Sequence, residues 1–213
     1  MDYTPIHKIP LIQSNHHFKM NSDTTALLKA MHIREGDRVL DIGTNQGVLL
    51  LEAAQYHPKW MVGIDINSEA IDLAYQNMQL NHIENVTLIS SDIQDVRFEE
   101  SFDVIVSNPP FFEVNAHTSS SHEGKQRAKF TQTLDLNKLM KSIKLHLSTK
   151  GRAYIVFRSA FLAQCFACAA NHQLSITRLQ GVEDTRLQYY KSCILTLQHG
   201  QNKPCQFDPP IVL

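Results

Sequence analysis

The chain has 213 residues, the size of one ordinary domain, and its 43% hydrophobic content with 8 Gly and 8 Pro is that of a globular protein and argues against disorder. A formal net charge of −1 says nothing by itself about partners, but the N-terminus lacks a charged-then-apolar signal pattern and no run approaches 18 apolar residues, which argues against secretion and membrane spanning. The four cysteines form no pair of close pairs; Cys165 and Cys168 sit in an apolar helical run and read as packed free thiols in a reducing, cytoplasmic setting, with no metal expected.

Residues 1–20 read as an irregular lead-in, with Pro5 and Pro10 and scattered histidines to which no role is assigned. Asn21-Ser22-Asp23 offers helix-capping chemistry, and Thr24 to Ile33 follows as a short amphipathic helix stopped by Gly36. From Arg38 the chain alternates. Strands are expected at Val39–Ile42, Trp60–Ile66, Val86–Ser90, Phe102–Ser107 and Ala153–Phe157. Helices are expected at Gly47–His57, Ser68–His82, Leu136–Leu147 and Ala160–Asn171. Leu174–Gln180 and Ser192–Gln198 follow as strands with no helix between them, which suits an antiparallel pairing. The pattern predicts a doubly wound α/β domain over 21–200: a mostly parallel, seven-stranded, Rossmann-like sheet with helices on both faces and an antiparallel strand near the C-terminal edge. Residues 201–213, with Pro204, Pro209 and Pro210, read as a tail.

Four strand ends carry polar side chains. Asp41-Ile42-Gly43-Thr44-Asn45-Gln46-Gly47 ends the first strand and opens a helix, where glycines let backbone approach a ligand. It lacks the central and third glycines of the dinucleotide fingerprint, and no basic residue stands at that turn, so a nucleoside without pyrophosphate fits better than a nicotinamide cofactor. Asp65, 22 residues after Gly43, ends the second strand and suits the two hydroxyls of a ribose. Asp92 ends the third and suits an adenine amino group, with Ile66 and Ile93 flanking the ring. Strand-end aspartates also cap helices or stay solvated; four polar tips in order make that a weaker account of the set. The fourth is Asn108. Pro109 and Pro110 remove two backbone donors and make the turn rigid, and Phe111 and Phe112 follow. A fixed amide beside flat apolar rings suits capture of a planar heterocycle bearing an amino group.

Charge is segregated. Residues 41–114 carry two basic and twelve acidic side chains, whereas 115–152 carry eight basic and two acidic. Residues 112–133 form a long Ser-rich segment, read as a substrate loop whose Lys125, Arg127 and Lys129 suit the phosphates of a polyanion.

Asp41 to Gly47 resembles motif I of the class I S-adenosylmethionine (SAM) methyltransferases, with Asn45 in place of the usual central glycine. Asp65 and Asp92 resemble the ribose- and adenine-binding acids of that superfamily. Asn108-Pro109-Pro110-Phe111 resembles its motif IV in enzymes that methylate an exocyclic or amide nitrogen. Over roughly residues 15–200 the chain is most similar to the tRNA1(Val) adenine-N6 methyltransferase family, through Phe18 to Leu28, Phe112, Arg127 to Phe130 and Leu134-Asp135-Leu136; Phe111 stands where that family more often carries Tyr. The resemblance implies SAM as cofactor, at Asp41, Gly43, Thr44, Asn45, Gly47, Asp65, Ile66, Asp92, Ile93 and Asn108. It implies an RNA substrate, a tRNA with an anticodon-loop adenosine as target, with Phe111 stacking on the base and Phe112 walling the pocket. Catalysis then falls to Asn108, Pro109, Pro110 and Phe111. Enzymes sharing the tetrapeptide act on ribosomal-RNA guanine N2 or on a protein glutamine, and the guanine enzymes are the nearer alternative. A non-catalytic SAM-fold protein that only binds RNA or a partner is the alternative of another class. A second tetrapeptide, Asp208-Pro209-Pro210-Ile211, is rejected as a site because no strand is expected before it.

Overall fold

β-branched and apolar runs dictate the central strands, and capping chemistry starts the helices between them. The computed structural model describes residues 2–14, 19–109, 136–184 and 187–213. A two-residue ribbon comes first, β1 (Asp2–Tyr3) against β2 (Pro10–Leu11), then α1 (Ser22–Ala30). The alternating part runs β3 (Arg38–Ile42), α2 (Val48–Ala54), β4 (Trp60–Asp65), α3 (Ser68–Leu80), β5 (Val86–Ser90) and β6 (Phe102–Ser107). After it come α4 (Leu136–His146), β7 (Leu147–Arg158), a 3-10 turn, α5 (Leu162–Asn171), β8 (Leu174–Glu183), β9 (Ser192–His199) and β10 (Gln206–Val212).

Among the described residues the main sheet has eight strands in the order β10-β8-β9-β7-β6-β3-β4-β5. The doubly wound class is as expected; the strand count of seven is corrected to eight. The extra strand is β10, which lies in the segment read as a tail and pairs parallel with β8. Its two prolines hid it. A strand short of two donors is tolerated at a sheet edge, and the register shifts between Asp208 and Ile211 where they fall. Arg178 anchors β10 by gripping Asp208 with Nε at 2.7 Å and Nη2 at 2.9 Å, so the second tetrapeptide is committed to an edge ion pair. The antiparallel strand β9 lies inside the sheet, between β7 and β8.

The central parallel strands β3, β4 and β6 are buried on both faces, so they read as nearly continuous apolar runs. One core holds Leu40, Ile42, Ile64, Ile105 and Ile155 against Leu139 and Ile143 of α4 and Cys165 and Cys168 of α5. The other holds Val39, Met61, Val104 and Val156 against Leu27 of α1, Leu50 of α2 and Met78 of α3. The pleat puts adjacent residues on opposite faces, so Asp41 falls on the Val39 side. Burial drives the Cys165 thiol well above its usual range and Cys193 up to about 12, which keeps both protonated.

The expected irregular lead-in contains the β1–β2 ribbon, which is strapped across α2 and α3. Buried Glu52 of α2 accepts from the Ile6 N–H at 2.9 Å, the His7 N–H at 3.1 Å and the His7 ring. Asn81, the C-cap of α3, donates to the Pro10 carbonyl at 2.8 Å.

Candidate active site

The chain leaves β3 toward β4 and β5 on one side, then returns to β6 and β7 on the other. Ligands bind open α/β sheets at such a switch point, outside the C-terminal strand ends. In space the four expected tips therefore run Asn108 after β6, the Gly43 turn after β3, Asp65 at the end of β4 and Asp92 after β5. At ordinary strand spacing this row spans roughly 14 Å, the scale of a nucleoside with a short side chain.

The turn after β3 is held by backbone. Gly43 and Thr44 donate to the Ile64 carbonyl at 2.8 and 3.0 Å. Gly43, Asn45 and Gly47 adopt left-handed φ values of 79°, 49° and 80°. Asn45 takes the usual glycine conformation because its short polar side chain tolerates that region. No atom of the described residues lies within 4 Å of where a Gly43 Cβ would stand, so the turn faces open space among them. Gly47 is different: its missing Cβ would meet Met78 Cε at 2.8 Å, which lets α2 pack closely on α3.

Asp65 locks the turn to the second tip. Its Oδ2 accepts from the Asn45 N–H at 2.9 Å and its Oδ1 from the Asn67 N–H at 3.0 Å. Asp92 Oδ1 accepts from the Gln94 N–H at 2.9 Å, and Lys138 Nζ of α4 stands 3.8 Å from its Oδ2. Ile66 is 41% exposed beside Asp65, as a ring-packing residue requires. Ile93 is only 4% exposed and belongs to the core of the opposite face, so it supports the tip from below.

Asp41 is fully buried beneath the turn, and neither oxygen has a partner in hydrogen-bonding geometry among the described residues. Burial pushes its carboxyl up to about 7. The nearby Thr44 hydroxyl, itself without a partner in such geometry, partly offsets this, and the Asp65 charge adds to it. An orphaned acid and hydroxyl under a left-handed turn, open space above it and an exposed Ile66 fit a small polar ligand that carries a nucleoside.

Asn108 is half-buried and Pro109 buried. Asn108 Nδ2 donates to Thr24 Oγ1 at 3.1 Å. Ser107 Oγ donates to the Ile42 carbonyl at 2.7 Å, tying the Asn108 tip to the Gly43 turn. Pro110, Phe111, Phe112, Lys125, Arg127 and Lys129 lie outside the described residues. Of the basic side chains of α4, Lys138 Nζ faces Asp92 and Lys144 Nζ lies 3.2 Å from His199 Nδ1.

Three supporting residues escaped the sequence reading: Thr24 of α1, Glu52 of α2 and Asn77 of α3. Asn77 had a legible signal, a polar residue on the inward stripe Ala70, Ile71, Ala74, Met78.

The profile of the methyltransferase small domain family matches residues 13–166, more than half of the chain. The chain belongs to this family. It is 31% identical over 141 residues to the tRNA1(Val) (adenine(37)-N6)-methyltransferase of Dyadobacter fermentans, covering 65% of this chain and 58% of that protein. The chain thus matches less than two thirds of that relative's length. The protein of the same name from Shewanella sp. is 28% identical, over 82% of this chain and 75% of its own. Among solved structures, a ribosomal protein L11 methylase from Lactobacillus delbrueckii subsp. bulgaricus has the same fold, with a TM-score of 0.64 at 20% identity, covering 94% of this chain and 91% of that one.

Proposed function

We propose that the protein is a SAM-dependent RNA methyltransferase that modifies the exocyclic N6 amine of an adenine, in the anticodon loop of tRNA1(Val). The observation that carries this reading is the Asn108-Pro109 tip set one strand away from the left-handed Gly43 turn, with Asp65 and Asp92 on the next two strands. The names of the relatives support the substrate, and the family supports the reaction. A tRNA substrate, together with four free cysteines, supports a cytoplasmic setting.

The Gly43–Gly47 turn, Asp65, Ile66 and Asp92 hold SAM, with Asp65 toward the ribose and Asp92 toward the adenine. When bound, SAM supplies an electrophilic methyl group on a sulfonium. Asn108 Oδ1 takes no hydrogen bond from the described residues. It accepts one N–H of the substrate amine, and the Pro109 carbonyl accepts the other. The two acceptors aim the nitrogen lone pair and stabilise the positive charge that grows on it, which is preorganised electrostatic catalysis. Orientation is the protein's main contribution, worth effective molarities on the order of 10⁵–10⁸ M. The adenine must leave its stack at a cost of a few kcal/mol, less in a loop. Phe111, Phe112, Lys125, Arg127 and Lys129 remain the proposed contacts to base and phosphates.

The test is methyl transfer from labelled SAM to a tRNA1(Val) transcript, with nucleoside mass spectrometry of the product. N6-methyladenosine in the wild-type transcript and none after replacement of the target adenosine by guanosine is expected. Asn108→Ala should bind SAM normally and lose at least 100-fold in transfer. Absence of SAM binding to the wild-type protein, or a methylated guanosine, overturns the reading.

A further inference from the structure

We infer that Thr24 is the positioning residue that sets which way the Asn108 amide faces. This rests on the reading of Asn108 as the acceptor for the substrate amine. An asparagine amide has two nearly isosteric orientations, and only one presents oxygen to the incoming N–H. The opposite orientation points an NH2 at an NH2.

The hydrogen bonds around Thr24 decide between them. Thr24 has one hydroxyl proton, and its Oγ1 donates it to Asn21 Oδ1 at 3.3 Å. Asn21 Oδ1 is the helix cap and already accepts from the Thr24 N–H at 3.0 Å. Oδ1 carries no proton and can only accept, so Thr24 Oγ1 donates toward it and is left with lone pairs. The atom of Asn108 that meets Oγ1 at 3.1 Å must then be a donor, Nδ2. Oδ1 of Asn108 is thereby turned away from α1, where no described side chain claims it. Thr24 is only 6% exposed, so water does not compete for the hydroxyl.

The element carrying Thr24 is itself fixed. Asp23 Oδ1, its buried neighbour, accepts from Ser192 Oγ of β9 at 2.5 Å, which locks α1 onto the sheet beside the β6 tip. The helix cap at Asn21 thus serves two ends. It starts α1, and through Thr24 it orients an amide 84 residues further along the chain.

Single-turnover methyl transfer at saturating SAM separates this role from a structural one. Thr24→Val, which keeps shape and removes the acceptor, should slow transfer at least 30-fold while the SAM dissociation constant moves less than threefold. Thr24→Ser, which restores the oxygen, should return the rate to within threefold of wild type. Thr24→Ala takes the place of the valine variant if that protein does not fold, with the same expectation. Transfer at the wild-type rate without the hydroxyl, a serine variant as slow as valine, or losses that track weakened SAM binding overturn the inference. Asn108→Ala at the wild-type rate overturns the reading of Asn108 beneath it.

Discussion

The side-chain nitrogen of Asn77 lies 2.9 Å from the main-chain oxygen of Gln46, joining the middle of α3 to the turn that faces the proposed cofactor. The same nitrogen lies 3.1 Å from the Ile12 carbonyl, and Asn77 Oδ1 accepts from the Ile12 N–H at 2.7 Å. One fully buried amide therefore ties the N-terminal ribbon, α3 and the Gly43–Gly47 turn together.

Replacing Asn77 by Leu leaves the Ile12 and Gln46 backbone groups without that partner. Stability should fall by about 2–4 kcal/mol, the usual scale for several buried hydrogen bonds lost at once. Because Gln46 belongs to the turn, SAM affinity should fall as well, by about tenfold. Denaturant unfolding and calorimetric titration with SAM check the two effects. A stability loss with unchanged affinity would mean that the turn holds its shape without Asn77.

Asp41 gives the protein a pH dependence of unusual sign. Its carboxyl is raised from 3.8 to about 7, mainly by burial. Between those values the folded protein keeps a proton that the unfolded chain releases, so stability falls as pH rises through this window. The full cost, on the order of 4 kcal/mol, is present only above pH 7 and absent below pH 4. Asp41→Asn cannot titrate. Its stability relative to wild type should climb between pH 4 and pH 7 and then level off, measured by denaturant melts across that range. A difference independent of pH would show that Asp41 is ionised in the folded protein at low pH.

His146 pulls the other way. It lies 3% exposed at the end of α4, edge-on to Phe98, with its Nε2 lacking a hydrogen-bond partner. Burial, helped by the Arg97 charge, lowers it from 6.5 to about 4. Its folded form stays neutral where the unfolded form charges, so stability is lost as pH falls from 6.5 toward 4. His146→Leu should blunt that acid-side loss while leaving the stability slope above pH 7 unchanged. Thermal melts from pH 4 to pH 8 decide it.

Strands β3, β4 and β6 were legible because a strand buried on both faces must be an apolar run; β5, at the edge, and β7 to β9 were legible from apolar, β-branched stretches between local turn signals. β10 was not, since Pro209 and Pro210 argue against a strand wherever edge and bulge are unknown. The ribbon was hidden for another reason: its partners Glu52, Asn77 and Asn81 are more than 40 residues away. At the site, Gly43, Asp65 and Asn108 could be placed because strand ends fix where side chains emerge. Ile93 could not, because the direction of the loop after β5 decides whether it meets ligand or core. Thr24 was visible as helix-start chemistry, but its contact with Asn108 is a tertiary fact.

Gly47 offers the most localised test of the turn. Its φ of 80° is one that L side chains rarely adopt, and a Cβ there would stand 2.8 Å from Met78 Cε and 3.3 Å from Ala74 Cβ. Gly47→Ala therefore combines backbone strain of about 1–2 kcal/mol with overpacking between α2 and α3. Trimming the obstacle separates these costs. In Gly47→Ala/Met78→Ala the methyl contact with Met78 is gone, but the left-handed φ still disfavours alanine. If strain dominates, the double variant is no more stable than the two single changes added together; if the clash dominates, it recovers a kcal/mol or more through coupling between neighbours. Gly47 donates its N–H to the Thr44 carbonyl at 2.9 Å and starts α2, so a shift there moves Thr44 and Asn45 together. SAM affinity should drop at least tenfold in Gly47→Ala, read by calorimetry at a temperature where the variant is fully folded. An unchanged affinity in a folded Gly47→Ala protein would place the cofactor away from this turn.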